Sequence, residues 1–227
     1  METTFARPSI GCAIRGHDRT SFFNTISESS QRMRILVIYC HPVATSFNAA
    51  LHREVLQSLR DAGHDIDNCD LYAERFNPVL SEEERSNYHD VRINRQPVQR
   101  YVERLLWAEA LVFCFPTWCM GLPAMLKGFF DRVMIPGVAL DVTDPTHVKP
   151  ALTHLKHIAA VVTYGRPRYV AWYMSDPPRR VIKRYLHLLT GGRARILYLP
   201  YYHMNVATPE KRNAFRRKVR KAMERFG

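Results

Sequence analysis

From Arg34 onward the chain alternates short apolar runs with longer segments whose apolar residues recur every three or four positions. Ile35-Leu36-Val37-Ile38-Tyr39-Cys40 is unbroken and rich in β-branched residues, as a strand buried on both faces requires. A polar loop, His41 to Ser46, follows. Phe47 to Ala62 then reads as a helix, with Leu51, Val55, Leu56 and Leu59 on one face and Gly63 as its stop. Asp65 to Leu71 is a weaker strand. The polar stretch Tyr72 to Gln96 holds a short helix starting at Ser81, where Glu84 completes a capping box. Pro97 to Trp107 reads as helix with proline in its first turn.

Leu111 to Phe115 is the third strand, and the loop Pro116 to Leu122 leads to a helix opened by Pro123 and running to about Val133. His157 to Thr163 is the fourth strand, Arg179 to Leu189 a basic helix, and Arg195 to Leu199 the fifth strand. Thr208 suits the N-cap of a last helix that has Pro209 at its first position and Glu210 in its first turn. Strands alternating with helices specify a parallel sheet covered on both faces. Such sheets bind ligands beyond the carboxyl ends of their strands, where the strand order reverses. Attention therefore falls on the loops after the first, third and fourth strands.

Residues 1–32 show no sustained periodicity and are expected to be a disordered tail, leaving 33–227 as one domain. The net charge of +12 changes the picture at one place, the last helix, which carries eight Lys and Arg from Lys211 to Arg225. Phe215, Val219, Ala222 and Phe226 recur there at helical spacing, so one face docks while the basic remainder is solvated. Nucleic acid is not the expected partner. Five scattered cysteines form neither a disulfide framework nor a zinc pattern and suit a reducing compartment. The apolar stretch Ala110 to Leu126 is broken by Pro116, Gly121 and Pro123, so no transmembrane segment is expected. With no signal-peptide pattern at the N-terminus, the expected location is the cytoplasm.

Neither GxxxxGK[ST] nor GxGxxG is present, which disfavours a P-loop or a Rossmann dinucleotide site. The first loop instead offers Thr45, Ser46 and Asn48 at a helix N-terminus, where free N–H groups and the helix dipole favour phosphate. Ordinary helix capping explains the same residues. The second loop, Pro116-Thr117-Trp118-Cys119-Met120-Gly121-Leu122-Pro123, sets aromatic and soft side chains where a flat uncharged heterocycle could lie, or where they simply cover the core. In the third loop, Thr163-Tyr164-Gly165-Arg166-Pro167, Thr163 or Tyr164 suits a ring edge and Arg166 an anionic group.

Three segments, HPVATSFNAAL from His41, DLYAERFNPVLS from Asp70 and FPTWCMGLPAMLKGFFDRV from Phe115, carry a resemblance. From Met33 to the C-terminus the chain resembles the NAD(P)H quinone oxidoreductase family of flavodoxin-like flavoproteins, in its bacterial branch. The resemblance implies a doubly wound five-stranded sheet in the order 2-1-3-4-5 and a homodimer with one flavin, FAD or FMN, per subunit. It implies two-electron hydride transfer from NADH or NADPH to a quinone-like acceptor. His41, Thr45, Ser46, Phe47 and Asn48 would hold the flavin phosphates, and Pro116, Thr117, Trp118, Cys119 and Met120 would line the ring. Thr163, Tyr164 and Gly165 would close over its pyrimidine side, with Tyr164 as the candidate catalytic residue. Gly165-Arg166-Pro167 stands where animal members have a double glycine, and Tyr169 is the nearest candidate for their proton-relaying tyrosine. An electron-carrier module and an ancillary flavoprotein subunit of a potassium efflux system are the alternatives the resemblance leaves.

Overall fold

The computed structural model describes residue 1, residues 32–144 and residues 146–227, so the expected N-terminal tail lies almost wholly outside the described residues. In chain order the elements are β1 (Arg34–Tyr39), α1 (Phe47–Asp61), β2 (Asp65–Asp70), α2 (Glu82–Ser86), α3 (Gln99–Trp107) and β3 (Ala110–Pro116). Then come α4 (Ala124–Val133), a two-residue hairpin of β4 (Leu140–Asp141) and β5 (Lys149–Pro150), β6 (His157–Thr163) and α5 (Arg168–Tyr173). The chain ends with α6 (Pro177–Arg180), a π-helical stretch (Val181–Tyr185), α7 (Leu186–Leu189), β7 (Arg195–Tyr201) and α8 (Pro209–Met223).

Five strands form one parallel sheet in the order β2-β1-β3-β6-β7, which is 2-1-3-4-5 when its strands are counted along the chain. The direction of winding reverses between β1 and β3. Side chains alternate between the two faces of each strand, and the core divides accordingly. Leu36 and Ile38 face α3, α4 and α7, whereas Ile35, Val37 and Tyr39 face α1 and α8. All seven residues of β3 are buried, as expected of a central strand covered on both sides.

Helix α1 is capped by the Ser46 hydroxyl, which accepts from the Ala49 N–H at 3.1 Å. It stops at Gly63, whose φ of +83° is the left-handed conformation that ends helices without a Cβ penalty. Leu51, Val55 and Leu59 are fully buried, each contributing about 1.5–3 kcal/mol on transfer from water. The basic α8 docks through Phe215, Val219 and Met223, and part of its charge is matched. The buried Glu54 carboxylate of α1 accepts from Arg216 at 2.9 Å and from Arg220 at 2.5 Å. Burial alone would raise the Glu54 pKa, but hydrogen bonds and charge from Arg220 and Arg216 bring it below the usual carboxylate range.

The polar stretch after β2 is tied down by sterics and charge. Gly128 of α4 lies against Pro78, so closely that a Cβ there would fall well under 3.0 Å from the Pro78 backbone. Beside it Arg132 and Glu84 form a nearly buried pair at 2.6 Å, and Arg132 also donates to the Asn77 carbonyl. The Ser81–Glu84 capping box forms as expected. Three features depart from the pattern-based reading. Helix α5 and the β4–β5 hairpin are additional, and the expected helix Arg179 to Leu189 starts two residues earlier, at Pro177, with a π-helical turn inside it. Among the described residues no helix is long and apolar enough to cross a membrane.

Candidate active site

The carboxyl ends of β1, β3 and β6 meet on one edge, and a single residue ties their loops together. Thr163 ends β6. Its hydroxyl accepts from the buried Asn48 side-chain amide at 2.8 Å, and its carbonyl accepts from the Thr117 N–H at 2.8 Å and the Thr117 hydroxyl at 3.2 Å. Loop one, loop two and loop three are therefore held at the switch point by groups no more than a hydrogen bond from Thr163. This is a preorganised edge.

On the first loop, the Cys40 N–H donates to the Cys114 carbonyl at 3.0 Å, so the chain leaves the sheet in register with β3. His41 is half-buried, and its Nδ1 accepts from the Val43 N–H at 3.1 Å. Burial outweighs that bond and lowers the imidazole pKa. The neutral ring then carries its proton on Nε2, as a donor. Thr45 is exposed at the mouth of α1, and the N–H groups of Phe47 and Asn48 open the helix with no intrahelical acceptor. Phe47 rests on Tyr201 with ring centroids 5.5 Å apart. Asn48 Oδ1 is buried with no partner, an acceptor of the kind that a ligand hydroxyl satisfies.

The second loop is a tight turn. Gly121 N–H donates to the Trp118 carbonyl at 2.9 Å, and Trp118 N–H donates back at 3.3 Å. Between them Cys119 and Met120 have φ of +49° and +60°, the left-handed values of a type I′ turn. Residues other than glycine hold such angles at a cost of about 1–3 kcal/mol each, a strain that concentrates at functional sites. The turn leaves Trp118 exposed at 39% beside His41, ring centroids 5.9 Å apart, while Met120 packs toward the core behind it. An exposed indole, a neutral imidazole and an apolar thioether form a shelf suited to a planar heterocycle. Cys119 is exposed, whereas burial pushes the Cys40 thiol up to about 12 and keeps it neutral.

The third loop divides. Thr163 is buried at the junction, and Gly165 is half-buried beside Asn205, from which a Cβ would be 3.2 Å. Tyr164 turns inward. Its side chain is fully buried, its hydroxyl donates to Asp176 at 2.6 Å and pairs with the Tyr198 hydroxyl at 2.5 Å. Burial first, then the neighbouring Tyr198, raises its pKa well above the ordinary phenol value. The expected catalytic contact from Tyr164 is thus not poised at the open edge: the phenol is spent inside, and only its backbone borders the cleft. Tyr201 and Asn205 were not singled out by sequence reasoning. Tyr201 ends β7 and Asn205 lies just after it, and only the packing of β7 beside β6 brings them to the third loop.

A profile of the flavodoxin-like fold matches residues 33–226. The chain belongs to that family. This flavodoxin-like chain is 36% identical over 108 residues to an uncharacterized NAD(P)H oxidoreductase of Haemophilus influenzae, covering 47% of this chain and 53% of that protein. It is 30% identical over 123 residues to the NAD(P)H dehydrogenase (quinone) 1 of Rattus norvegicus, covering 47% of this chain and 44% of that protein. The chain spans about half the length of the curated relatives it matches. Among solved structures, an NAD(P)H:quinone oxidoreductase from Methanothermobacter marburgensis shares the flavodoxin-like fold at a TM-score of 0.71 and 23% identity, over 85% of this chain and 98% of that one.

Proposed function

We propose that this chain is a flavin-dependent NAD(P)H oxidoreductase that reduces quinone-like acceptors. The observation that carries the reading is the convergence on Thr163, which sets the open N-terminus of α1 beside the Trp118 shelf at the switch point of the sheet. Phosphate and flat ring, the two ends of a flavin nucleotide, find matching chemistry there. The relatives named as NAD(P)H oxidoreductases support the same reaction class.

In this reading the Phe47 and Asn48 N–H groups and the Thr45 and Ser46 hydroxyls bind the phosphate. His41, with its proton on Nε2, adds a donor without adding charge. Pro116, Thr117, Trp118, Cys119 and Met120 line the ring, with Trp118 and Met120 fixing its plane and excluding water from one face. The backbone of Thr163, Tyr164 and Gly165 borders its polar rim. Asn48 Oδ1, buried without a partner, would be an acceptor for a ligand hydroxyl that reaches the junction. When bound, the flavin would supply the capacity to accept one hydride and pass on its two electrons. The protein contributes position, exclusion of solvent and a fixed polar frame. The acting unit is a homodimer in the cytoplasm. Three buried free thiols among the described residues suit a reducing compartment.

The test is optical. Purified protein, or protein reconstituted with FMN or FAD, is expected to be yellow and to bleach on addition of NADH or NADPH, recovering colour with a quinone. Protein that takes up neither flavin refutes the reading.

A further inference from the structure

A cavity separate from the proposed flavin cleft opens just beyond the third loop, starting at Arg168. It has a volume of about 590 Å³ and lies between α5, the turn before α6 and Tyr202. Three guanidinium groups, Arg168, Arg179 and Arg180, line it against one carboxylate, Asp176. That carboxylate is already committed, since its Oδ1 accepts from the Tyr164 hydroxyl at 2.6 Å and from the Arg179 N–H at 3.4 Å. Those donors are neutral and leave its charge in place, so three arginines against one carboxylate give the cavity an excess of positive charge.

Aromatic surface accompanies the charge. Trp172 and Tyr173 are exposed at 79% and 80%, and Tyr202 packs on Tyr164 with ring centroids 4.6 Å apart. The wall is fixed. Arg179 lies 5.5 Å over the Tyr198 ring, and Ser175 and Asp176 hold left-handed φ values of +61° and +44°. Strained backbone persists only where its surroundings over-determine it, and here the two bonds to Asp176 do so. Guanidinium forks match phosphate oxygens, and exposed aromatic faces stack on a flat base. A phosphomonoester next to a purine fits both.

Position selects the ligand. Arg168 is three residues from Gly165, so the cavity begins within about 11 Å of the third loop. The Tyr164 N–H donates to the Tyr201 carbonyl at 2.8 Å, directly before Tyr202 of the cavity wall. We infer that this pocket binds the 2′-phosphorylated adenosine end of the hydride donor and makes the protein select NADPH over NADH. The inference rests on the oxidoreductase reading above. The 2′-phosphate carries about −1.5 to −2 charges at pH 7 where NADH has a neutral hydroxyl, so the three arginines discriminate between the donors.

Two measurements on the full-length chain test it. Calorimetric titration of flavin-free and flavin-loaded protein with 2′-AMP and 5′-AMP needs no variant and no turnover. Tighter binding of 2′-AMP is expected, weakened about tenfold or more by Arg168→Ala with Arg180→Ala. In steady-state assays the same double substitution should raise the KM for NADPH about tenfold, with kcat and the KM for NADH unchanged. Equal binding of the two nucleotides overturns the inference, because the pocket would then read any phosphate. So does a double variant that loses NADH as much as NADPH. A pocket sealed by a second copy of the chain would give no heat with either nucleotide, which also overturns it. Failure of the oxidoreductase reading looks different: no flavin uptake and no bleaching, while the 2′-AMP titration still reports on the pocket.

Discussion

Replacing Thr163 by valine changes the shape of the junction least and its chemistry most. Valine keeps the branched side chain and the backbone carbonyl, so both Thr117 bonds and the β3–β6 register survive. What disappears is the hydroxyl that accepts from Asn48 at 2.8 Å. Asn48 is only 2% exposed and its Oδ1 already lacks a partner, so both ends of its amide would then be unsatisfied. An orphaned buried donor costs about 1–3 kcal/mol. At about 2 kcal/mol, a domain of this size loses roughly 4–8 °C in melting temperature. The same loss frees the first turn of α1 from β6, so flavin affinity should fall about tenfold for each 1.4 kcal/mol that the bound state no longer recovers. Differential scanning fluorimetry of the apo-protein and flavin fluorescence titration measure the two effects. A double-mutant cycle with Asn48→Ala should show coupling of about 0.5–3 kcal/mol. A Thr163→Val protein that melts and holds flavin like wild type, with no coupling to Asn48, would refute the claim that this junction organises the site.

Ser46→Ala with Trp118→Ala should sharply weaken flavin retention on gel filtration, the first by removing the α1 cap and the second by removing the shelf; unchanged retention would place the flavin elsewhere. Gly128→Ala should destabilise the domain by about 1–3 kcal/mol or more in urea unfolding, since the new Cβ meets Pro78 backbone rather than a movable side chain. Glu54→Gln should lower the thermal midpoint by a few degrees at pH 7. Because the Glu54 pKa is depressed in the fold, that difference should persist above pH 4.5 and shrink as acid protonates the wild-type carboxylate through its lowered folded value. A pH-independent difference would show that the two arginines do not hold α8 through this charge.

The strands and main helices were legible in the sequence because burial imposes its period locally. The unbroken Ile35–Cys40 run, the Leu51–Leu59 stripe and the Ser81–Glu84 box each specify an element within a few residues. The loops of the candidate site could be named for the same reason, since topology places strand ends on one edge. Helix α5 went unseen because it buries only Ala171 and leaves no stripe to read. The left-handed Cys119–Met120 turn lacks the glycines that announce such turns. Only tertiary structure decided how the loops join. The Asn48–Thr163 bond spans 115 residues of chain, and the inward turn of Tyr164 follows from Asp176 and from Tyr198 on another strand. Contacts between residues far apart in the chain leave no local period, so they exist only once the sheet has assembled.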